Sequence, residues 1–253
     1  MSSLSSLPVL LKELRLSAFA KHWECLAQKS IDEQWLPQEY LARLCEQEAN
    51  ERYHKRVLRL TREAQLPLGK SLSSFDYACI PSVNEQQISA LLHDTQWVLQ
   101  ANNLLLFGPS GVGKTHLASA IGYALIEKNI RVKFTSATAL VQGLQKARSE
   151  LGLTAALEKL DKFAVLIVDD IGYVKKSEME TQVLFELIAH RYETGSLVIT
   201  SNQPFSDWDQ IFNDNMMTVA AIDRLVHHAK IFEMNAESYR KKQSIKTKEA
   251  GMA

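Results

Sequence analysis

Residues 103–128 put the tightest limit on what this chain can fold into. Asn103-Leu104-Leu105-Leu106-Phe107 is a short apolar run with the composition of a fully buried strand. Gly108-Pro109-Ser110-Gly111-Val112-Gly113-Lys114-Thr115 follows at once and fits the spacing G-x-x-x-x-G-K-[ST] in full. Residues 114–128 then read as a helix. Gly108, Gly111 and Gly113 let the backbone pass close to a bound group and tolerate positive φ. Consecutive N–H groups would point inward, and the helix N-terminus adds its dipole. Lys114 supplies a point charge for β- and γ-phosphates, and Thr115 a hydroxyl for Mg²⁺. His116 follows directly. Strand, loop and helix in this order point to a polyphosphate site.

The rest of the middle region repeats the alternation. Strands are expected at 131–135, 164–168, 197–201 and 229–234, and helices at 85–100, 137–150, 153–162, 178–193 and 217–227. Strands as apolar as Ala164 to Val168 and Leu197 to Ile199 predict an α/β fold with a parallel sheet covered on both faces. Apolar runs of this length fall far short of the roughly 20 residues that cross a bilayer. No secretory pattern follows Met1, so the expected compartment is the cytoplasm. Cys25, Cys45 and Cys79 form no C-x-x-C pair and read as free thiols.

Three parts are expected: a helical domain over 1–68, the α/β domain over 69–240, and a basic, disordered tail over 241–253. Leu7, Leu10, Leu11, Leu14 and Phe19 recur at near-helical spacing. A second stretch starts after Pro37 and ends near Gln65, before the turn residues Leu66-Pro67-Leu68-Gly69. Residues 71–80 read as an ordered lead-in. The formal net charge is zero, yet both ends are basic and the middle acidic, so a nucleic-acid surface is not excluded.

Further candidate site residues sit at strand ends, where open α/β sheets bind ligands. Asp169 is placed to hold Mg²⁺. Asp170 can orient or deprotonate a water for attack on a γ-phosphate. Asn202, after Thr200-Ser201, can hold that water or sense the γ-phosphate. Arg224 and Arg240 can each reach a γ-phosphate.

Arg52, Lys55, Arg56, Arg59 and Arg62 span about 120° of one helix face. Such a stripe suits the phosphate backbone of duplex DNA with little sequence preference. Tyr53, Val57 and Leu60 can pack inward. His227 and His228 are adjacent with no accompanying metal-ligand spacing, so zinc is not expected there.

Together these segments resemble the AAA+ ATPases, and within them the IstB-type transposition helpers. The resemblance rests on residues 108–118, Val168-Asp169-Asp170-Ile171-Gly172-Tyr173, Ile199 to Asn202, Asp223 to Ala229 and Glu237 to Arg240. It covers nearly the whole chain. It implies that Gly108 to His116 and Arg240 bind ATP, with Thr115 and Asp169 on Mg²⁺. Lys114, Asp170, Asn202 and Arg224 would be catalytic, Arg224 as a finger acting in trans. Asp170 stands where most AAA+ proteins have Glu. The implied work is ATP-dependent assembly of a homo-oligomer on duplex target DNA, followed by recruitment and stimulation of a cognate transposase. A DnaC-like helicase loader is the nearest rival, ahead of a metabolic P-loop kinase or a non-hydrolysing clamp.

Overall fold

The structure, a computed structural model, describes residues 6–172, 177–204, 207–208 and 215–236. Arg240 and the tail lie outside the described residues, as does Tyr173. The chain forms two compact units, Met1–Arg59 and Leu60–Ala253.

The first unit is helical: α1 (Leu7–Glu13), α2 (Ser17–Asp32) and most of α3 (Pro37–Ala64). Pro37 opens α3, where its missing N–H costs nothing. Arg15, Gln34 and Gln65 follow the three helices with φ of 56°, 53° and 57°. Glycine usually takes this left-handed position, so these stops carried no strong sequence signal. Leu11, Ala18 and Leu44 are buried, whereas Leu10 and Leu14 of the same apolar repeat are exposed, as is Tyr53.

Glu48 is buried at 5% exposure and acts as the missing cap of α2. Its Oε2 accepts from the Ala18 N–H at 2.7 Å and its Oε1 from Arg52 Nε at 2.7 Å. Burial pushes its pKa up, but the hydrogen bonds from Arg52, Ala18 and Phe19 outweigh that and hold it below the ordinary value. Glu51, bonded by Lys55 and Lys21, is lowered to about 2. A lowered carboxylate stabilises the fold above its unfolded pKa and loses that contribution as pH falls through the folded one. Protection of the Ala18 and Phe19 amides from hydrogen exchange, corrected for intrinsic rates, should therefore hold above about pH 5. It should fall steadily toward pH 2, and Glu48→Gln should flatten the decline. A decline unchanged in that variant would remove Glu48 from the account.

In the second unit, α3 ends with Leu60 and Ala64 buried, and Leu66 of the following turn is buried too. The division therefore falls inside a helix, ahead of the Leu66–Gly69 turn. Two short 3-10 turns, Leu72–Ser74 and Tyr77–Cys79, form the lead-in. Then come α4 (Glu85–His93), α5 (Gln96–Leu99), β1 (Asn103–Phe107), α6 (Lys114–Glu127), β2 (Val132–Ser136), α7 (Ala137–Ser149), α8 (Leu153–Leu160), β3 (Val165–Asp169), α9 (Glu178–Arg191), β4 (Ser196–Ser201), α10 (Asn215–Val226) and β5 (Ala229–Glu233). The helix expected over 85–100 is broken at Asp94–Thr95, where the Asp94 side chain accepts from the Gln96 N–H.

The strands form one parallel sheet in the order β2-β3-β4-β1-β5. Alternate residues serve opposite faces. Leu105, Phe107, Leu166, Val168, Leu197 and Ile199 pack with α7, α9 and α10. On the other face α6 lies so close that a Cβ at Gly122 would sit 2.9 Å from Ile167 Cδ1. Each fully buried Leu or Ile contributes roughly 1.5–3 kcal/mol. The chain leaves β1 toward β2 and leaves β4 toward β5, in opposite directions. The crevice between β1 and β4, at their C-terminal ends, is therefore the place an open sheet offers a ligand.

At the other end of the sheet, Arg191 is only 2% exposed. Its guanidinium donates to the carbonyls of Leu160, Phe163, Ala164 and Ser196 at 3.1–3.2 Å, joining the starts of β3 and β4. Burial lowers its pKa while Asp161, 3.9 Å away, raises it. Gly195 is required beside it, because a Cβ there would overlap the guanidinium.

Candidate nucleotide-binding site

The glycine-rich loop leaves β1 and wraps the N-terminus of α6. Gly108, Gly111 and Gly113 have φ of 150°, 86° and 98°. A Cβ at Gly108 would overlap the Met234 carbonyl oxygen, since Met234, just past β5, donates its N–H to Phe107 O at 2.7 Å. Gly113 is the N-cap of α6, and no side chain caps the helix. Its first N–H groups and positive dipole end are therefore directed at whatever the loop encloses. Lys114 is buried at 7% exposure, its Nζ donating to Gly108 O (2.7 Å) and Pro109 O (2.8 Å). The cation is thus held inside the loop.

One network ties the loop to two other strand ends. Thr115 Oγ1 donates to Asp169 Oδ2 at 3.1 Å, and Thr200 Oγ1 donates to Asp169 Oδ1 at 2.7 Å. Thr200 Oγ1 also accepts the Asp170 N–H at 2.8 Å. Asp170 has φ 66°, an uncommon conformation that costs of order 1–2 kcal/mol for a residue with a side chain. The Thr200 bond helps hold it there, and the next residue is held by Ile171 N–H to Thr200 O (3.0 Å). Thr200 therefore orients both acids, a role missed when Asn202 was singled out. Only parallel pairing of β3 with β4 brings it there.

Asn202 lies beside Gly172, where a Cβ would sit 2.8 Å from Asn202 Oδ1. That oxygen is buried and has no hydrogen-bond partner among the described residues.

A cavity of about 560 Å³ opens over this network. Ser110 to His116, Asp170, Thr200 and Asn202 line one part; Gly69, Lys70, Ser74, Phe75, Asp76, Cys79 and Ile80 line the rest. The lead-in is fixed by His116, whose Nε2 lies 3.0 Å from Ser71 O and 3.1 Å from Ser74 Oγ, and whose ring meets Phe75 edge-on at 5.3 Å. Asp76 caps the second short turn through the Ala78 N–H. The lead-in was expected to be ordered, but its contribution to the cavity was not foreseen. Mixed apolar and polar residues carry no periodic signal.

The cavity, the uncapped helix and the enclosed ammonium suit a nucleotide polyphosphate. Thr115 and Asp169 converge hard oxygens on one point, the donor chemistry Mg²⁺ takes. Arg224 does not line this cavity. Its Nη1 donates to Ala220 O at 2.9 Å and its guanidinium lies 5.2 Å from the Phe185 ring centre.

The basic residues of α3 divide into two groups. Arg52 is paired with Glu48, and Lys55 with Glu51, both at 2.7 Å. Arg56 is exposed, its guanidinium 5.8 Å from the Tyr53 ring centre, and Arg59 and Arg62 are exposed as well. Each acid sits one turn before its partner and reaches into the stripe, so the face carries less net charge than the run from Arg52 to Arg62 implies.

A family model described as IstB-like ATP binding protein matches residues 9–247. A Sinorhizobium fredii protein named as an insertion sequence ATP-binding protein is 50% identical over 242 residues, 96% of this chain and 81% of that one. A Pseudomonas aeruginosa protein named for ATP binding in insertion sequence IS21 is 35% identical, covering 95% of this chain and 90% of its own. Among solved structures, the DnaC helicase loader aligns with a TM-score of 0.53 at 22% identity, over 66% of this chain and 97% of that chain. The replication initiator DnaA bound to AMPPCP and single-stranded DNA aligns with a TM-score of 0.55 at 18% identity, over 73% of this chain and 56% of that chain. Identities this low speak for the fold alone, an AAA+ P-loop architecture. With the family match running almost end to end and the loop, Asp169 and the strand order in agreement, the chain belongs to the IstB-like ATP binding proteins.

Proposed function

We propose that this chain is a Mg²⁺-dependent ATPase that assists insertion-sequence transposition by assembling on duplex DNA and recruiting a transposase. The observation that carries the reading is the convergence of Lys114, Thr115, Asp170 and Asn202 on one cavity, with Asp169 bonded to Thr115, in a chain of this family. Lys114 and the loop N–H groups bind the phosphates. Thr115 and Asp169 would hold Mg²⁺, which when bound neutralises charge on the β- and γ-phosphates. Asp170 accepts a proton from the attacking water and Asn202 positions it. Arg224, which does not line its own chain's cavity, acts on a neighbouring subunit's nucleotide, so ATP favours assembly. Arg240 contacts the nucleotide as a second sensor. Duplex DNA lies along Arg56, Arg59 and Arg62, with Arg52 and Lys55 contributing beside their acidic partners. Many subunits on one duplex supply avidity that one stripe lacks.

One experiment tests the main links. Mass is followed by light scattering with ATP, Mg²⁺ and a long random-sequence duplex, beside ADP and duplex-free controls. A large assembly that needs both ATP and duplex is expected, and it should dissolve as ATP is consumed. Asp170→Asn should form the same assembly and keep it. Particles of monomer mass under every condition would overturn the reading, and Asp170→Asn turnover equal to wild type would overturn the role of Asp170.

A further inference from the structure

We infer that Glu193, His227 and His228 form a surface site for a borderline divalent metal ion such as Zn²⁺, distinct from the Mg²⁺ position. One ligand atom from each lies within 4.8 Å of the others. Imidazole nitrogen and carboxylate oxygen are the donors zinc accepts, and three protein ligands leave a position for water or a fourth group. The tertiary fold alone makes this set. Glu193 stands in the turn between α9 and β4, and the two histidines stand in the turn between α10 and β5. Because α10 stops at Val226, the histidines escape the divergence a helix would impose, and their ring centres lie 4.1 Å apart.

Two further features favour a cation here. Helices α9 and α10 both end at these turns, and each C-terminus carries partial negative charge. Tyr192 orients His227, its hydroxyl lying 3.0 Å from His227 Nδ1. In the tautomer whose Nδ1–H donates to the phenol oxygen, Nε2 keeps a lone pair for metal. An outer-shell partner that sets a histidine's tautomer is a recurring part of metal sites. Of the neighbouring charges, Asp223 adds to the attraction. Arg224 opposes it, but its guanidinium is directed to Ala220 O and Phe185.

The site sits at the starts of β4 and β5, at the opposite end of the sheet from the loop after β1. A bound ion would tie the end of α9 to the end of α10, the helix that carries Arg224.

The test is titration of the full chain with Co²⁺ and Zn²⁺, without nucleotide and with millimolar Mg²⁺ to occupy hard-oxygen sites. Ligation by Cys25, Cys45 or Cys79 is recognised by its near-ultraviolet thiolate charge-transfer band. One Co²⁺ per chain is expected, with visible d–d bands and no thiolate band. His228→Ala and Glu193→Gln should each weaken binding about tenfold or more, and Tyr192→Phe by a smaller factor. Zn²⁺ should raise the melting temperature of the wild type but not of His228→Ala. No saturable binding in either titration would overturn the proposal. So would binding that persists unchanged in the His227→Ala, His228→Ala double variant.

Discussion

Lys114→Ala should lower nucleotide affinity by about 100-fold or more. The Lys114 Nζ is buried and held between the carbonyls of Gly108 and Pro109, inside the loop that would surround the phosphates. A hydrogen bond to a charged group is worth about 1.5–3 kcal/mol, and 1.4 kcal/mol is tenfold in affinity. A direct contact to two phosphates falls at or above the upper end of that range. The loop geometry itself depends on the glycines and on Met234, so the variant should fold and melt normally without nucleotide. Calorimetric titration with ATP and Mg²⁺ measures the effect. Affinity within threefold of wild type, with an unchanged melting curve, would show that the cation does not bind phosphate.

Arg191→Met should destabilise the second unit by about 3–5 kcal/mol, the scale of removing one partner from a buried charged network. Four carbonyls, at Leu160, Phe163, Ala164 and Ser196, lose their donor, in a site where the arginine is 2% exposed. Each unsatisfied buried acceptor costs about 1–3 kcal/mol, partly offset by no longer burying a charge. For a unit of this size the melting temperature should fall by about 10 °C. Thermal unfolding followed by circular dichroism reads it directly. A shift under about 2 °C would mean that water replaces the guanidinium without penalty. Gly195→Ala should destabilise through the same contact, because a methyl group there displaces the guanidinium from its carbonyls.

Much of the α/β unit could be read locally. The strand β1 and the start of α6 fall where apolar composition and the glycine spacing put them, because both signals act within a few residues. The other expected strands shift by one residue at most ends. The helical stops at Arg15, Gln34 and Gln65 were harder, since each uses a non-glycine residue in a glycine-favoured conformation. The basic run on α3 was legible as a charge pattern. Its partial neutralisation by Glu48 and Glu51 was not, because both acids precede the run and meet it only across a helical turn.

Contiguous residues encode the phosphate loop, the acids at the end of the third strand, the parallel α/β class and the family resemblance. Each is written in contiguous residues whose chemistry does not depend on distant partners. Tertiary structure decided what depends on distant partners. It made Thr200 the bond between Asp169 and Asp170, brought the lead-in across the cavity, and buried Arg191 against two strand starts. It also set Glu193 beside His227 and His228 and left Arg224 off the cavity of its own chain. Strand order and helix ends choose which remote side chains meet, and no local pattern encodes that choice.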